Sequence, residues 1–110
     1  IYSLVMDAEE LFRSCLGFQW DAGNSNKNWI THRVLTFECE QMFFNQPLVA
    51  AEDAAHSQHE QRFFALGQTD DGRRLCVAFT IRGHLIRVVS ARDMSRKERT
   101  VYGDAEKKNS

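Results

Sequence analysis

Three strand-length segments in tandem restrict the fold most: RFFALGQT (62–69), RLCVAFTI (74–81) and LIRVVSAR (85–92). All three are rich in aromatic and β-branched side chains, which suit a pleated, half-buried surface. The links between them are short enough to demand hairpins. TDDGR places Gly72 where positive φ is tolerated, and Gly83-His84 suits a two-residue type II′ turn with glycine first. That turn predicts a register of Ile81 opposite Ile86, Phe79 opposite Val88, Val77 opposite Ser90 and Leu75 opposite Arg92. Alternation then collects Leu75, Val77, Phe79, Ile81, Ile86 and Val88 on one face as core. The other face carries Thr80 opposite Arg87 and Ala78 opposite Val89, with Arg82 nearby. Small side chains beside an arginine leave a shallow surface there, and that is where a ligand is expected.

Ahead of this meander the chain reads mainly helical. LGFQWD (16–21) is a plausible first strand, with Phe18 and Trp20 on one parity. A helix is expected over 24–32, capped by Asp21, and an amphipathic one over Phe37–Asn45, stopped by Pro47. LVAAED reads as a strand, and residues 54–61, AAHSQHEQ, as a loop. After the meander, Ser95-Arg96-Lys97-Glu98 is a capping box, predicting a helix from about Arg96 to Tyr102 that ends at Gly103. Residues 104–110 read as a frayed tail. The predicted class is α+β, an antiparallel meander with N-terminal helices and a short C-terminal helix, in a single domain over 1–110.

The three cysteines are far apart and lack a C-x-x-C spacing, which argues against a disulfide framework or zinc ribbon and fits a reducing, cytoplasmic setting. The opening IYSLVMDAEELF lacks the basic and apolar regions of a signal peptide, and no apolar run reaches the roughly 20 residues that span a bilayer. The chain starts at Ile1, and Met6 offers an alternative start. A formal net charge of −1 hides an asymmetry: residues 1–61 hold nine acids and three bases, while residues 62–99 hold nine bases and four acids. Two readings are open. The basic half meets an external anion, or the acidic half neutralises it within the fold.

Several ordered motifs together resemble the BrnT toxins of type II toxin–antitoxin systems, over about 18–102. They are F-x-W-D (Phe18, Trp20, Asp21), Asn28 four residues before His32, E-x-x-F-F-N-x-P-L (40–48), and D-x-x-H-S followed by E-x-R-F (Asp53, His56, Ser57, Glu60, Arg62, Phe63). A-L-G-x-T-D-x-G-R (65–73) and the stretch from Thr80 to Tyr102 complete the set. The resemblance implies a RelE-like fold and a ribonuclease that arrests translation. It also implies neutralisation by a BrnA-like antitoxin and operator DNA bound only through that complex, with no cofactor and no membrane role. Residues 1–15 form an extension to the family pattern, with Leu11, Phe12 and Leu16 expected to pack on the sheet. Two departures stand out: Ala22 replaces a usual proline, and Thr31-His32-Arg33 replaces Lys-His-Gly. The lost glycine matters if residue 33 sits at positive φ. A non-catalytic module that keeps the fold and the antitoxin contact is the alternative these changes raise.

A metal-independent ribonuclease needs phosphate binding, removal of the 2′-hydroxyl proton and protonation of the departing 5′ oxygen. Guanidiniums suit the first task, because they bind two phosphate oxygens and stabilise the charge that develops in the transition state. Arg92, Arg87, Arg99 and His32 are therefore the expected catalytic set. RNA contacts are expected from Trp20, Lys27, Arg62, Arg82, Arg96, Lys97 and Tyr102. His56 is, with His32, a natural titrating group near neutral pH. Trp20 and Tyr102 suit stacking on a base or packing in the core, and His84 is expected to be exposed in a turn. H-x-x-H-E at His56, His59 and Glu60 lacks a third ligand in its loop-like setting, so no metal site is expected.

Overall fold

A computed structural model of the chain describes residues 5–109; residues 1–4 and Ser110, the outer ends of the extension and tail, lie outside it. The tandem segments become β4 (Arg62–Gln68), β5 (Arg74–Arg82) and β6 (Leu85–Asp93). With β1 (Val5–Met6), β2 (Gly17–Phe18) and β3 (Val49–Glu52) they build a six-stranded sheet in the order β1-β3-β4-β5-β6-β2. All neighbours are antiparallel except β2, which runs parallel to β6. The helices are α1 (Ala8–Phe12), α2 (Lys27–His32), α3 (Thr36–Phe44) and α4 (Arg96–Asn109), with a 3₁₀ turn at Ala54–His56. The α+β class is as expected.

Apolar alternation decides the two faces. One buries Val77, Phe79, Ile86, Val88 and Ala91 with Phe63, Cys39 and Met42, and α1 brings Leu11 and Phe12 onto it. Ring contacts tie these elements together: Phe12 meets Phe43 at 5.3 Å and Phe79 at 5.5 Å, and Phe63 stacks on Phe79 at 5.4 Å. Such pairs contribute about 0.5–1.5 kcal/mol each beyond the area they bury. Leu16, expected with them, stands 81 % exposed instead. On the other face α4 seats Tyr102 against Leu66, Cys76 and Met94. That helix covers only part of its face.

The turn at Gly83, φ +61°, closes the β5–β6 hairpin, and the expected pairs Ile81↔Ile86, Thr80↔Arg87 and Phe79↔Val88 form. A bulge then takes up one residue. Beyond it Ala78 pairs with Ser90, Val77 with Ala91, Cys76 with Arg92 and Leu75 with Asp93, one step from the predicted register. The bulge lets β6 bury Val88 and Ala91 on the same face although they stand three positions apart.

Other boundaries move for local reasons. The first strand is only two residues long, and Trp20 lies beyond it. Asp21 accepts from Gly23 N–H at 2.8 Å in a turn and does not cap α2, which starts six residues later. The capping box of α4 is present, with Ser95 N–H donating to Glu98 Oε1 (2.8 Å) and Glu98 N–H to Ser95 Oγ (3.2 Å). The helix continues past Gly103, because Arg74 on β5 holds Glu106 through two hydrogen bonds of 2.6 and 3.0 Å. Residues 104–109 are thus helix rather than tail.

α2 ends at Arg33, which adopts φ 57°, ψ 40°, with its guanidinium over the Trp29 ring at 5.2 Å. A side chain in this left-handed region costs about 1 kcal/mol relative to glycine, and an exposed cation–π contact returns roughly 0.5 kcal/mol. Arg33→Gly is therefore expected to raise unfolding free energy by about 0.5 kcal/mol in urea titration; a destabilised variant would contradict the strain.

Candidate active site

β2 pairs with β6 only as far as Ile86. Beyond it the segment before and within α2 satisfies the strand edge with side chains. Asn24 Nδ2 donates to the Val88 carbonyl at 3.0 Å, and Asn28 Oδ1 accepts from Ala91 N–H at 2.9 Å. Both asparagines are buried. Covering an edge this way removes unpaired backbone groups, and here it also sets Lys27 beside the open part of the sheet.

That open part is a cleft of about 540 Å³ on the face shared with α4. Its floor is a row across three strands: Arg62 on β4 pairs with Thr80 on β5, which pairs with Arg87 on β6. Lys27 and Asn24 form one wall, and His56, His59 and Glu60 the other. Thr80 is only 4 % exposed, and its hydroxyl has no hydrogen-bond partner. Arg62 Nε likewise has none, lying 3.6 Å from Asp53 Oδ2. Unsatisfied buried donors are uncommon and costly, and both residues line the same cavity.

Carboxylates hold the remaining guanidiniums. Arg87 grips Asp21 through Nη1 (2.8 Å) and Nη2 (3.2 Å), and the bond holds the Asp21 carboxyl below its usual range. Arg82 grips Glu60 through Nε (2.8 Å) and Nη2 (3.1 Å), lowering Glu60 likewise. Lys27 lines the cleft with no acid partner among the described residues. The D-x-x-H-S and E-x-R-F motifs fold around Ser57, whose hydroxyl donates to the Asp53 carbonyl (2.7 Å) and accepts from Arg62 N–H (3.0 Å). Asp53 N–H donates to the Arg62 carbonyl (2.8 Å), and the Asp53 carboxylate meets His56 Nδ1 at 2.9 Å.

The expected site residues divide between places. Arg87, Lys27, Arg62 and Arg82 come together in the cleft. Arg92 does not line it; its guanidinium binds Glu98 at 2.7 and 2.9 Å, where Glu98 is buried. Exposed His32 and Arg99 both act on Asp93, at a corner organised by Arg73. Arg96 and Lys97 are exposed on the first turn of α4. Trp20 and Tyr102 are packing residues: Trp20 Nε1 donates to Glu40 (2.7 Å), and Tyr102, fully buried, donates its hydroxyl to the Pro47 carbonyl (2.7 Å). Burial removes Tyr102 from reach of a ligand. Asp53 and Asp21 were not among the expected site residues; only the D-x-x-H spacing hinted at the first, and the second enters through tertiary pairing. Thr80 pairs with Arg87 on the face where a ligand was expected.

Among the described residues, no three His, Cys, Asp or Glu side chains converge to hold a metal, and no helix is long and apolar enough to cross a membrane. The family model for the ribonuclease toxin BrnT of type II toxin–antitoxin systems matches residues 20–98. The chain belongs to the BrnT family. That places it among ribonuclease toxins, with RNA as substrate class and an antitoxin as partner. No curated protein matches the chain. The BrnT match takes in the whole cleft lining and the first residues of α4, and it begins after the α1 extension.

At the corner, Arg73 Nε donates to Asp93 (2.8 Å), which lowers the Asp93 pKa and raises that of Arg73. A carboxyl with a depressed folded pKa stabilises fully above its unfolded value, about 3.9, and loses that contribution as pH falls through the lower folded value. The stability gap between the native chain and Asp93→Asn in urea is thus expected at pH 7 and to close below about pH 4. A gap that does not change with pH would rule this out.

Proposed function

We propose that this BrnT protein is a metal-independent endoribonuclease toxin that cuts RNA in the Arg62–Thr80–Arg87 cleft, inhibits translation and is neutralised by a BrnA-like antitoxin. The observation that carries the reading is the cross-strand row itself, with two cations flanking an unpartnered buried hydroxyl. A phosphate seated there would lie beside Thr80 and Arg62 and meet Arg87 and Lys27. As negative charge grows on the phosphorane oxygens, these donors stabilise it without a metal. Arg87 suits contact with the reacting phosphate better than Arg92. Its partner Asp21 is 55 % exposed and can yield to a phosphate, whereas the partner of Arg92 is a buried capping residue. Arg92 instead anchors α4, whose Arg96, Lys97 and Arg99 extend the basic surface for flanking RNA backbone. Large apolar side chains left in water at Leu16, Ile30 and Phe44 support a protein partner, and operator DNA is reached through that complex.

Purified protein free of antitoxin should cleave single-stranded RNA in EDTA. Arg87→Ala and Arg62→Ala, with circular dichroism unchanged, should lower kcat/KM by about 10²–10³-fold. Inactivity of the native chain on varied RNAs, together with absence of growth arrest on expression, would favour a non-catalytic module instead.

A further inference from the structure

We infer that His56, oriented by Asp53, is the general base of this cleft, taking the proton from the ribose 2′-hydroxyl. The inference deepens the proposed RNA cleavage and rests on it. Asp53 is buried, with its side chain 7 % exposed, and its backbone is fixed by the bonds to Arg62 and Ser57. An ionised carboxylate only accepts hydrogen bonds, so its 2.9 Å contact assigns the ring proton of His56 to Nδ1. In the neutral ring with that tautomer, Nε2 on the far side carries the lone pair. His56 is itself 63 % exposed and lines the cleft that holds Arg62, Thr80 and Arg87. One end of the pair is thus rigid and dry while the other faces open space, the arrangement a base needs in order to meet a substrate proton.

The other three histidines lack this support. His59 lines the same cleft without a carboxylate partner among the described residues, His84 occupies the β5–β6 turn, and His32 lies at the Asp93 corner. Burying the Asp53 carboxylate is costly, and its neighbours His56 and Arg62 both belong to the cleft. The carboxylate contacts both the imidazole, at 2.9 Å, and the Arg62 guanidinium, at 3.6 Å.

In the step this geometry supports, the 2′-oxygen loses its proton to His56 Nε2 and attacks phosphorus. The P–O5′ bond breaks, and the 5′ oxygen leaves with a proton from solvent. The products are a 2′,3′-cyclic phosphate and a 5′-hydroxyl, and His56 returns its proton to water. Arg62, Arg87 and Thr80 take up the charge on the non-bridging oxygens. Asp53 touches no reacting atom and acts as a positioning residue.

A single-stranded RNA and the same RNA with one 2′-deoxy residue at the cleavage point serve as probes. His56→Ala is expected to lower kcat by about 10²–10⁴-fold, to leave RNA affinity within about twofold, and to regain part of its rate with added imidazole. Cleaved RNA should carry the cyclic phosphate, and the deoxy RNA should bind uncut. Asp53→Asn should lower kcat with unchanged affinity. Long-range ¹⁵N spectra should show the Nδ1–H tautomer in the native protein, a readout that stands if the Asp53 variant fails to fold. Cleavage by His56→Ala at the native rate, or an Nε2–H tautomer in the native protein, overturns the role of His56 and leaves the cleft reading intact. Absence of cleavage by the native protein overturns the cleft reading and this inference together.

Discussion

The guanidinium of Arg73 ties β6, α2 and α3 to the start of β5. It stands just before β5 and donates to Asp93 at the end of β6, to Glu38 in the first turn of α3, and to the His32 and Arg33 carbonyls that end α2. Glu38 in turn accepts from Leu35 N–H at 3.0 Å, so the Arg73–Glu38 pair closes one helix and starts the next. Last-turn carbonyls otherwise look to water, and a cation at that end also opposes the helix dipole. A partly buried arginine is tolerable when its donors are used, and here Nε, Nη1 and Nη2 all are. Through α2 the same cation holds Asn28 against Ala91 and Lys27 at the cleft wall. The cleft therefore depends on a residue that never touches it.

The meander was readable because period-two alternation and turn glycines are local signals. Its register held from the Gly83 turn to Phe79 and Val88 and then slipped, since nothing in LIRVVSAR marks an extra residue before the core demands it. That slip pairs Arg92 with Cys76 rather than Leu75, on the α4 side, where it meets Glu98. The start of α4 was legible from its capping box, whereas its end was not. Gly103 reads as a stop, but a bond to Arg74 from 32 residues away carries the helix onward. Trp20 and Tyr102 were ambiguous for the same reason: whether an aromatic ring stacks on a ligand or packs inside is decided by tertiary burial.

The charge asymmetry had two readings, and the structure contains the internal one. Asp21, Asp53, Glu60 and Glu38, all from the acidic half, contact Arg87, Arg62, Arg82 and Arg73 from the basic half. The shared face of Arg82 and Arg87 was visible in the sequence through the hairpin register. That Arg62 and Lys27 join them was not, because one arrives from another strand and the other from a helix. The more distant arginines, Arg92 and Arg99, looked equivalent only because they share a linear stretch with Arg87.

The carboxylate grip on the cleft arginines has a consequence for how an anion enters. Asp21 and Glu60 occupy the two-pronged positions on Arg87 and Arg82 that phosphate oxygens of the proposed RNA substrate would take. Seating RNA in the proposed site would then be an exchange of one anion for another rather than an addition to bare positive charge. Each displaced carboxylate draws a cation back from solution as the nucleic acid sheds one. The logarithm of affinity should then fall with the logarithm of salt less steeply than the roughly 0.7 per contact typical of single strands. Such a surface holds its charge in reserve and, on the proposed reading, would attract polyanions weakly at a distance.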